Sequence, residues 1–480
     1  MFRFIFLCII LFNSIIAKAE SEDSPITLSL QEAILLAVRE NPNVEIAQLN
    51  HVEEKFSLHI QEWQFTPHYS FVASVGVNKS VINNVVQTTK NPLIQPEVKW
   101  LSPIGTQATL TSVNTFSHHF NPGLSLEIVQ PLMRGFGRPI VEAALENAKD
   151  SEHISRLNIE GTLRNTVTGV IIAYLNAVSA ENTVMLDKQA LQRAETSVTQ
   201  TKLFIKAGHK AGNELVTVEA DVASAETTLE NDKNNSQQAR FALLEAIGVD
   251  PKTNMIITNL DVLALTHKYH ISSLVDTQQR VLINDIQYQT DQITLEGSTK
   301  RNVALAEDNT RPDLNLTLNA GTSAGLSQGK YGGITGLFNG SNEARGATLS
   351  INIPLDNQLA KQGVLDAKIA LREASLALKQ ERWSKETNAI NGWNSVGSAE
   401  RALKFAKNAA SLQQKTYQLS NKKYLYGLIN SIELQSVRQQ LNLNQQALIS
   451  AQLNYLSALV NLDLLAGTTL ETWNIKVRLA

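Results

Sequence analysis

Chemistry in a protein starts from clusters of imidazole, thiol, carboxylate or phosphate-cradling glycine, and this chain of 480 residues offers few of them. His118-His119 is its most ligand-like pair, but it sits in a long connection between strand-like stretches, where adjacent histidines read as solvated loop. The only cysteine, Cys8, lies in an apolar N-terminal run, so the rest of the chain has no thiol nucleophile and no cysteine-based metal site. Gly329, Gly332, Gly333 and Gly336 are crowded together without the GxxxxGK[ST] spacing that cradles phosphate, and read as flexible loop. Neither an HExxH pair nor a GxSxG elbow occurs. The expectation is a chain that is not an enzyme and carries no cofactor or metal.

Two carboxylates stand out by position. Glu214 and Glu433 each follow a glycine, Gly208 or Gly427, by six residues, in KAGHKAGNEL and YLYGLINSIEL. A carboxylate in the first turn of a helix is favoured by the macrodipole, which accounts for either residue without a special role. In a symmetric assembly the same residue becomes a ring, and a ring of carboxylates at a constriction favours cations. Glycine supplies the positive φ that a tight helix reversal needs, so Gly208 and Gly427 read as turns between paired helices.

Those turns belong to a repeat. Displacing the sequence by 219 positions lays Lys206–Gly248 on Leu425–Gly467 without a gap. Gly208 meets Gly427, Glu214 meets Glu433, Leu243 meets Leu462 and Gly248 meets Gly467. Pro67 and Gly76 match Pro312 and Gly321 at another offset, and Gln130-Pro131-Leu132 aligns with Ile353-Pro354-Leu355. Markers in the same order imply a tandem duplication, with residues 20–260 as the first helix–strand–strand–helix–helix repeat and 261–480 as the second.

Strict alternation marks the strands. Tyr69, Phe71, Ala73, Val75 and Val77 are apolar with Ser70, Ser74 and Asn78 between them, and Leu124, Leu126 and Ile128 alternate with Ser125 and Glu127. Leu314 to Ala320 and Ala347 to Ile353 repeat the pattern in the second half. One apolar and one polar face per strand suits a membrane barrel with a wet lumen. Four such strands per chain cannot close a barrel, and hydrocarbon does not tolerate open edges, so several chains must share one. The segments 80–121 and 322–343 then read as outward loops, the first with a strand-like stretch of its own, Gln107 to Val113, able to plug or decorate the outer mouth. Gly135-Phe136-Gly137 reads as the bend from barrel into helix.

Long helices occupy most of the remainder. No proline follows Pro139 before Lys206, and none lies between Gln358 and Tyr426. Roughly 70 residues at about 1.5 Å each make a rod on the order of 100 Å, which calls for coiled-coil packing. Leu434, Leu441, Leu448, Tyr455 and Leu462 fall seven apart, and Leu215, Val222, Leu229 and Leu243 follow the same spacing in the first half. An earlier helix from Leu28 breaks at Asn41-Pro42.

The ends of the chain and its composition set the compartment. Arg3, the apolar run Ile5–Ile16 and Ala17-Lys18-Ala19 read as a signal peptide, residues 1–19, with a mature start near Glu20. Beyond it no apolar run is long enough for a membrane helix. A net charge of −3 points away from nucleic acid.

Taken in order, the signal peptide, the duplicated unit, Asn41-Pro42 and the strand ends Gln130-Pro131-Leu132 and Ile353-Pro354-Leu355 resemble the TolC family of outer-membrane efflux proteins, over about Leu28 to Gly467. The resemblance implies a homotrimer with a shared twelve-stranded β-barrel in the outer membrane and an α-barrel of coiled-coil helices through the periplasm. It also implies a periplasmic adaptor and an inner-membrane pump or ABC transporter as partners, outer-membrane lipid as surroundings, and passive export in an efflux or type I secretion system. In that family the second-repeat turn is followed by two acidic residues lining the entrance. Here Glu433 takes the first position and Ser436 the second, so the entrance is less acidic. The alternative from another class is a non-transporting structural coiled coil of the cell envelope.

Overall fold

The structure, a computed structural model, describes residues 26–476 except 83–84, 117–119, 254, 259–264, 270–272, 325, 328–329, 332–336 and 338–341. The expected signal peptide, His118-His119 and the cluster from Gly329 to Gly336 lie outside the described residues.

In the first half the chain runs β1 (Ile26–Leu28), α1 (Leu30–Glu40), α2 (Pro42–Trp63), β2 (His68–Ile82), β3 (Val85–Leu101), β4 (Gln107–Phe116), β5 (Phe120–Pro131), α3 (Arg138–Val141), α4 (Ala143–Lys206) and α5 (Asn213–Ile247). After β6 (Met255–Ile257) come α6 (Leu274–Asn284), α7 (Ile286–Thr294), a π-helical turn (Leu295–Thr299) and α8 (Lys300–Asp308). Then follow β7 (Asp313–Ser323), the short β8 (Leu326–Ser327) and β9 (Lys330–Tyr331), β10 (Glu343–Asn352), α9 (Gln358–Leu425), α10 (Ser431–Ala466) and α11 (Thr469–Thr472). The helical lengths match the sequence reading: α4 has 64 residues and α9 has 68.

Two compact units result, one of Met1–Val44, Leu163–Ser272 and Asn391–Ile475, the other of Glu45–Thr162, Ser273–Ile390 and Lys476–Ala480. Each draws on both halves of the sequence.

The helical core belongs to the first unit. α1 starts with a capping box in which Ser29 and Glu32 satisfy one another's backbone N–H, and it buries Leu30, Ala33, Ile34 and Ala37. It stops at Asn41, whose side-chain amide donates to Ala246 O at 2.8 Å. Gly248, at φ +89°, fits there because a Cβ would lie 2.8 Å from Asn41 Cα and Pro42 Cδ. β1 pairs in parallel with β6, and Tyr174 Oη donates to Leu28 O and Thr258 O across that pair.

By length and composition two helices could cross a membrane, which corrects the expectation that none would. Windows in α4 and α10 have mean hydropathy of 1.3 and 1.2. In α4 the apolar residues Val167, Val170, Ile171, Tyr174 and Leu175 are at most 4% exposed within the single chain, as in a core helix.

The second unit holds the sheet, and here the sequence reading needs a larger correction. Instead of four strands, one chain supplies six, in the order β10-β7-β5-β4-β3-β2, all antiparallel neighbours. The segment expected as the loop 80–121 is mostly the hairpin of β3 and β4, inserted between β2 and β5. A count of twelve strands for a trimer therefore does not follow from this chain.

A smaller asymmetry is absorbed locally. Asn41 and Asp285 both end a helix with extended ψ, at 123° and 117°. From those breaks to Pro67 and Pro312 the second half has one residue more. The π-helical turn takes up that residue without disturbing the helix on either side.

Candidate functional site

The two helix-pair turns are built alike. Where α4 ends, Gly208 N donates to Ile205 O and His209 N to Phe204 O at 2.9 Å, with Gly208 at φ +77°. Where α9 ends, Gly427 N donates to Tyr424 O and Leu428 N to Lys423 O at 2.9 Å, with Gly427 at φ +72°. Both are glycine-terminated closures in which the N–H three residues past the last helical residue reaches back five residues into the final turn. A Cβ at either glycine would meet open space, so the demand is on φ alone.

Past the turns the two halves diverge. α10 is capped by Asn430, whose Oδ1 accepts from Glu433 N at 2.8 Å. α5 has no side-chain cap, and Glu214 N donates instead to Ala211 O.

Glu214 is drawn inward. Lys210 Nζ lies 2.9 Å from Glu214 Oε2 and 3.7 Å above the Tyr424 ring centroid. Tyr424 is fully buried, edge-on to Phe204, and its hydroxyl lies 2.8 Å from Thr201 Oγ1. Burial raises the Glu214 carboxyl, but the hydrogen bonds from Lys210 and Ser431 and the Lys210 charge outweigh it and hold the group below the usual carboxylate range. Glu433 and Ser436, by contrast, are exposed. The structure thus seats Glu214 beside Ser431 of the second turn and leaves Glu433 and Ser436 facing outward.

Behind the turns lies a polar layer that sequence reading missed. Arg438, 5% exposed, reaches Asp221 Oδ2 at 3.2 Å and donates to Arg193 O at 3.3 Å. Arg193 donates to Asn442 Oδ1 at 2.8 Å, and burial lowers its pKa. These arginines line a cavity of about 270 Å³ with Gln189, Tyr417 and Asn421. Nearby, burial and the Asp232 carboxylate push the Asp187 carboxyl up to about 7, against the pull of Arg193. The i,i+4 spacing of Lys210 and Glu214 was a usable sequence signal. No local pattern announces Arg193 or Arg438, whose hydrogen-bond and ion-pair partners lie more than 200 residues away.

In the other unit the sheet has two chemically distinct faces. His68, Lys99, Thr109, Glu127, Asn319 and Gly346 are neighbours in register across all six strands on one face. On the other face, Trp100, Ala108, Ile128, Leu318 and Ala347 follow one another across five strands. Among the described residues nothing covers that apolar face: Tyr69 is 80% exposed and Leu349 64%. Below β5, Gly135 and Gly137 take φ of +77° and +98°, the expected bend into helix, and Gly135 N donates to Asp308 Oδ2 at 2.7 Å.

Apolar seams are also left open on the long helix. Phe405, Leu412 and Leu419 of α9, with Tyr426 just past its end, fall seven apart and are each more than 60% exposed. Ile369, Leu376, Trp383 and Ile390 repeat that spacing earlier in the same helix. A heptad of exposed large apolar residues is a seam that awaits a partner helix.

Residues 278–468 match the family described as outer membrane efflux protein. No curated protein sequence matches the chain. Among solved structures, the fold is similar to the CmeC outer membrane channel of Campylobacter jejuni, at TM-score 0.67 and 15% identity, covering 91% of this chain and 85% of that one. It is similar to the open-state MtrE outer membrane channel of Neisseria gonorrhoeae, at TM-score 0.67 and 17% identity, covering 91% and 88%. The outer membrane protein VceC of Vibrio cholerae is similar at TM-score 0.65 and 15% identity, covering 93% and 97%. The resemblance to the TolC-like outer-membrane efflux family therefore holds, in sequence over residues 278–468 and in fold over nearly the whole chain.

Proposed function

We propose that this chain is one protomer of a passive outer-membrane exit duct, working in an efflux or type I secretion assembly. The observation that carries the reading is the sheet, with an uncovered apolar face, a polar face behind it, and two strands, β2 and β10, each paired on one side only. Such a sheet is stable in hydrocarbon only when its edges are closed by further strands. Edges from other copies close it, and the open heptad seams of α9 bring those copies together along their helices as well. Three copies is the number the family implies. The bilayer around the sheet is the outer membrane, and the turns at Gly208 and Gly427 face a periplasmic adaptor and the inner-membrane pump or ABC transporter that supplies energy. Glu433 and Ser436 line the periplasmic entrance, with Glu214 bound into the wall beside them. No cofactor is needed, because the duct conducts what the pump delivers.

The test is migration of the membrane-extracted protein with and without boiling, followed by reconstitution. The expected result is a heat-modifiable oligomer in the outer-membrane fraction that conducts ions once inserted in a planar bilayer. A monomer extracted without detergent, or an oligomer whose migration is insensitive to heat, would contradict the reading and favour a structural coiled coil.

A further inference from the structure

Between β2 and β5 the sheet carries a hairpin that has no counterpart between β7 and β10, where only the two-residue strands β8 and β9 occur among the described residues. Two observations bear on what this insertion does. First, β3 and β4 share the two-faced chemistry of the other four strands. From Pro92 onward the apolar side of β3 carries Pro92, Ile94, Pro96, Val98 and Trp100, while Leu93, Gln95, Glu97 and Lys99 lie between them, polar after Leu93. Val98 is paired with Leu110 of β4, which is paired with Leu126 of β5, so the apolar face runs through the insertion at its helix end, up to the point where Ser112 and Asn114 take that side of β4. Ile94, Trp100 and Leu110 are each exposed by more than a third, on the face that is uncovered elsewhere in the sheet.

Second, the hairpin reaches the same end of the sheet as the strands that lead into helices. Its turn, residues 102–106, is tied to the bend after β5: Gly137 N donates to Ile104 O at 3.2 Å, and a Cβ on Gly105 would lie 2.6 Å from Gly135 O. On the other side Trp100 Nε1 donates to Phe65 O at 3.1 Å, just past the end of α2. The insertion is therefore seated at the helix end of the sheet as well as along its length. A plug or an outer decoration has no need of that anchorage, nor of an apolar face shared with its neighbours.

We infer that β3 and β4 are membrane-spanning wall strands, so that each chain contributes six strands to the barrel and a trimer closes one of eighteen. This rests on the duct reading above. β4 has 10 residues and β3 has 17, both at least the length of about 9–11 residues that a tilted strand needs to cross a bilayer, and β3 alternates strictly from Ile94 to Trp100. Barrel diameter grows roughly in proportion to strand number, and barrels of about 16–18 strands leave an aqueous channel. The outlet of this duct is then about half again as wide as one of twelve strands. The extra width suits bulky cargo at the outer-membrane step.

Single-cysteine scanning tests the inference, in a Cys8→Ala background so that the introduced thiol is the only one. Substitutions at Ile94, Val98 and Leu110 are compared with Gln95, Thr109 and Thr111, using the purified oligomer in liposomes. The probes are a water-soluble maleimide and a thiol-reactive dye quenched by lipid-borne nitroxide. The expected result is labelling by the soluble reagent at the second set and its loss at the first, with lipid quenching in the reverse order. Soluble labelling of both sets without alternation, while Ser125 and Leu126 of β5 still alternate, would overturn the inference and leave the duct intact. Absence of alternation in β5 and β7 as well would mean that the duct reading itself has failed.

Discussion

The two helix-pair turns share a backbone and differ in what surrounds it. Around the first, Glu214 is held by Lys210, which sits over the buried Tyr424 ring. Around the second, Glu433 and Ser436 are exposed, and Asn430 caps the helix that carries them. Duplication preserved the glycine closure, because only positive φ permits it, and left the side chains free to diverge. In one copy the carboxylate is held in an ion pair, and in the other it stands exposed.

Replacing Tyr424 should break the comparison most severely. Tyr424→Ala empties a fully buried aromatic site and removes the platform under Lys210, with an expected cost of about 3–5 kcal/mol. Its counterpart Ile205 is only half-buried, and Ile205→Ala should cost about 1 kcal/mol. Chemical denaturation of the two variants checks the difference, and equal losses would mean that the first turn is as tightly built as the second.

Gly208→Ala and Gly427→Ala should cost about 1–2 kcal/mol each and equally, since both demand positive φ in open space. Unequal melting shifts would show that the shared backbone geometry is not the common element. Asn430→Ala should cost about 1 kcal/mol by loss of the cap, making the start of α10 resemble that of α5. Melting of the variant beside Ala211→Gly, where no side-chain cap exists to lose, separates the cap from general helix destabilisation.

The smallest effect concerns pH. The Glu214 carboxyl is held below its ordinary value of 4.5, so its ion pair contributes stability above that value and loses it as pH falls through the lowered one. The wild type should exceed Glu214→Gln by less than about 1 kcal/mol at pH 7, and the two should converge once pH falls below the lowered value. Melting temperatures across that range give the answer, and a gap that widens on acidification would reverse the assigned sign.

Periodic features were legible in the sequence. The heptads of α10, the alternation of β2, β5, β7 and β10, and the glycine turns each follow from a repeat of residue type that one helix or strand requires by itself. Of the hairpin, β4 showed as the strand-like stretch Gln107 to Val113, but β3 was not legible, because Pro92 and Pro96 argue against a strand and Lys90, Glu97 and Lys99 against a membrane. The structure reconciles all but Lys90, which pairs with Val77 on the apolar side: the pairing of β3 with β4 skips Gln95 and Pro96, where no proline N–H exists to donate, and Glu97 and Lys99 face the polar side. The layer of Arg193, Asp221 and Arg438 was hidden for another reason. Its contacts join residues far apart in sequence, and a single chain read alone carries no mark of which distant polar residues will meet.

The measurement that tests the account most directly is single-channel recording of the reconstituted oligomer, comparing wild type, Glu433→Ala and Glu214→Ala under a salt gradient. The account predicts small cation-selective currents in the wild type, reduced cation selectivity or altered open probability for Glu433→Ala, and little change for Glu214→Ala while its channel remains folded. Currents altered by Glu214→Ala and untouched by Glu433→Ala would contradict the assignment of wall and gate, and a folded, inserted oligomer that passes no current would contradict the duct itself.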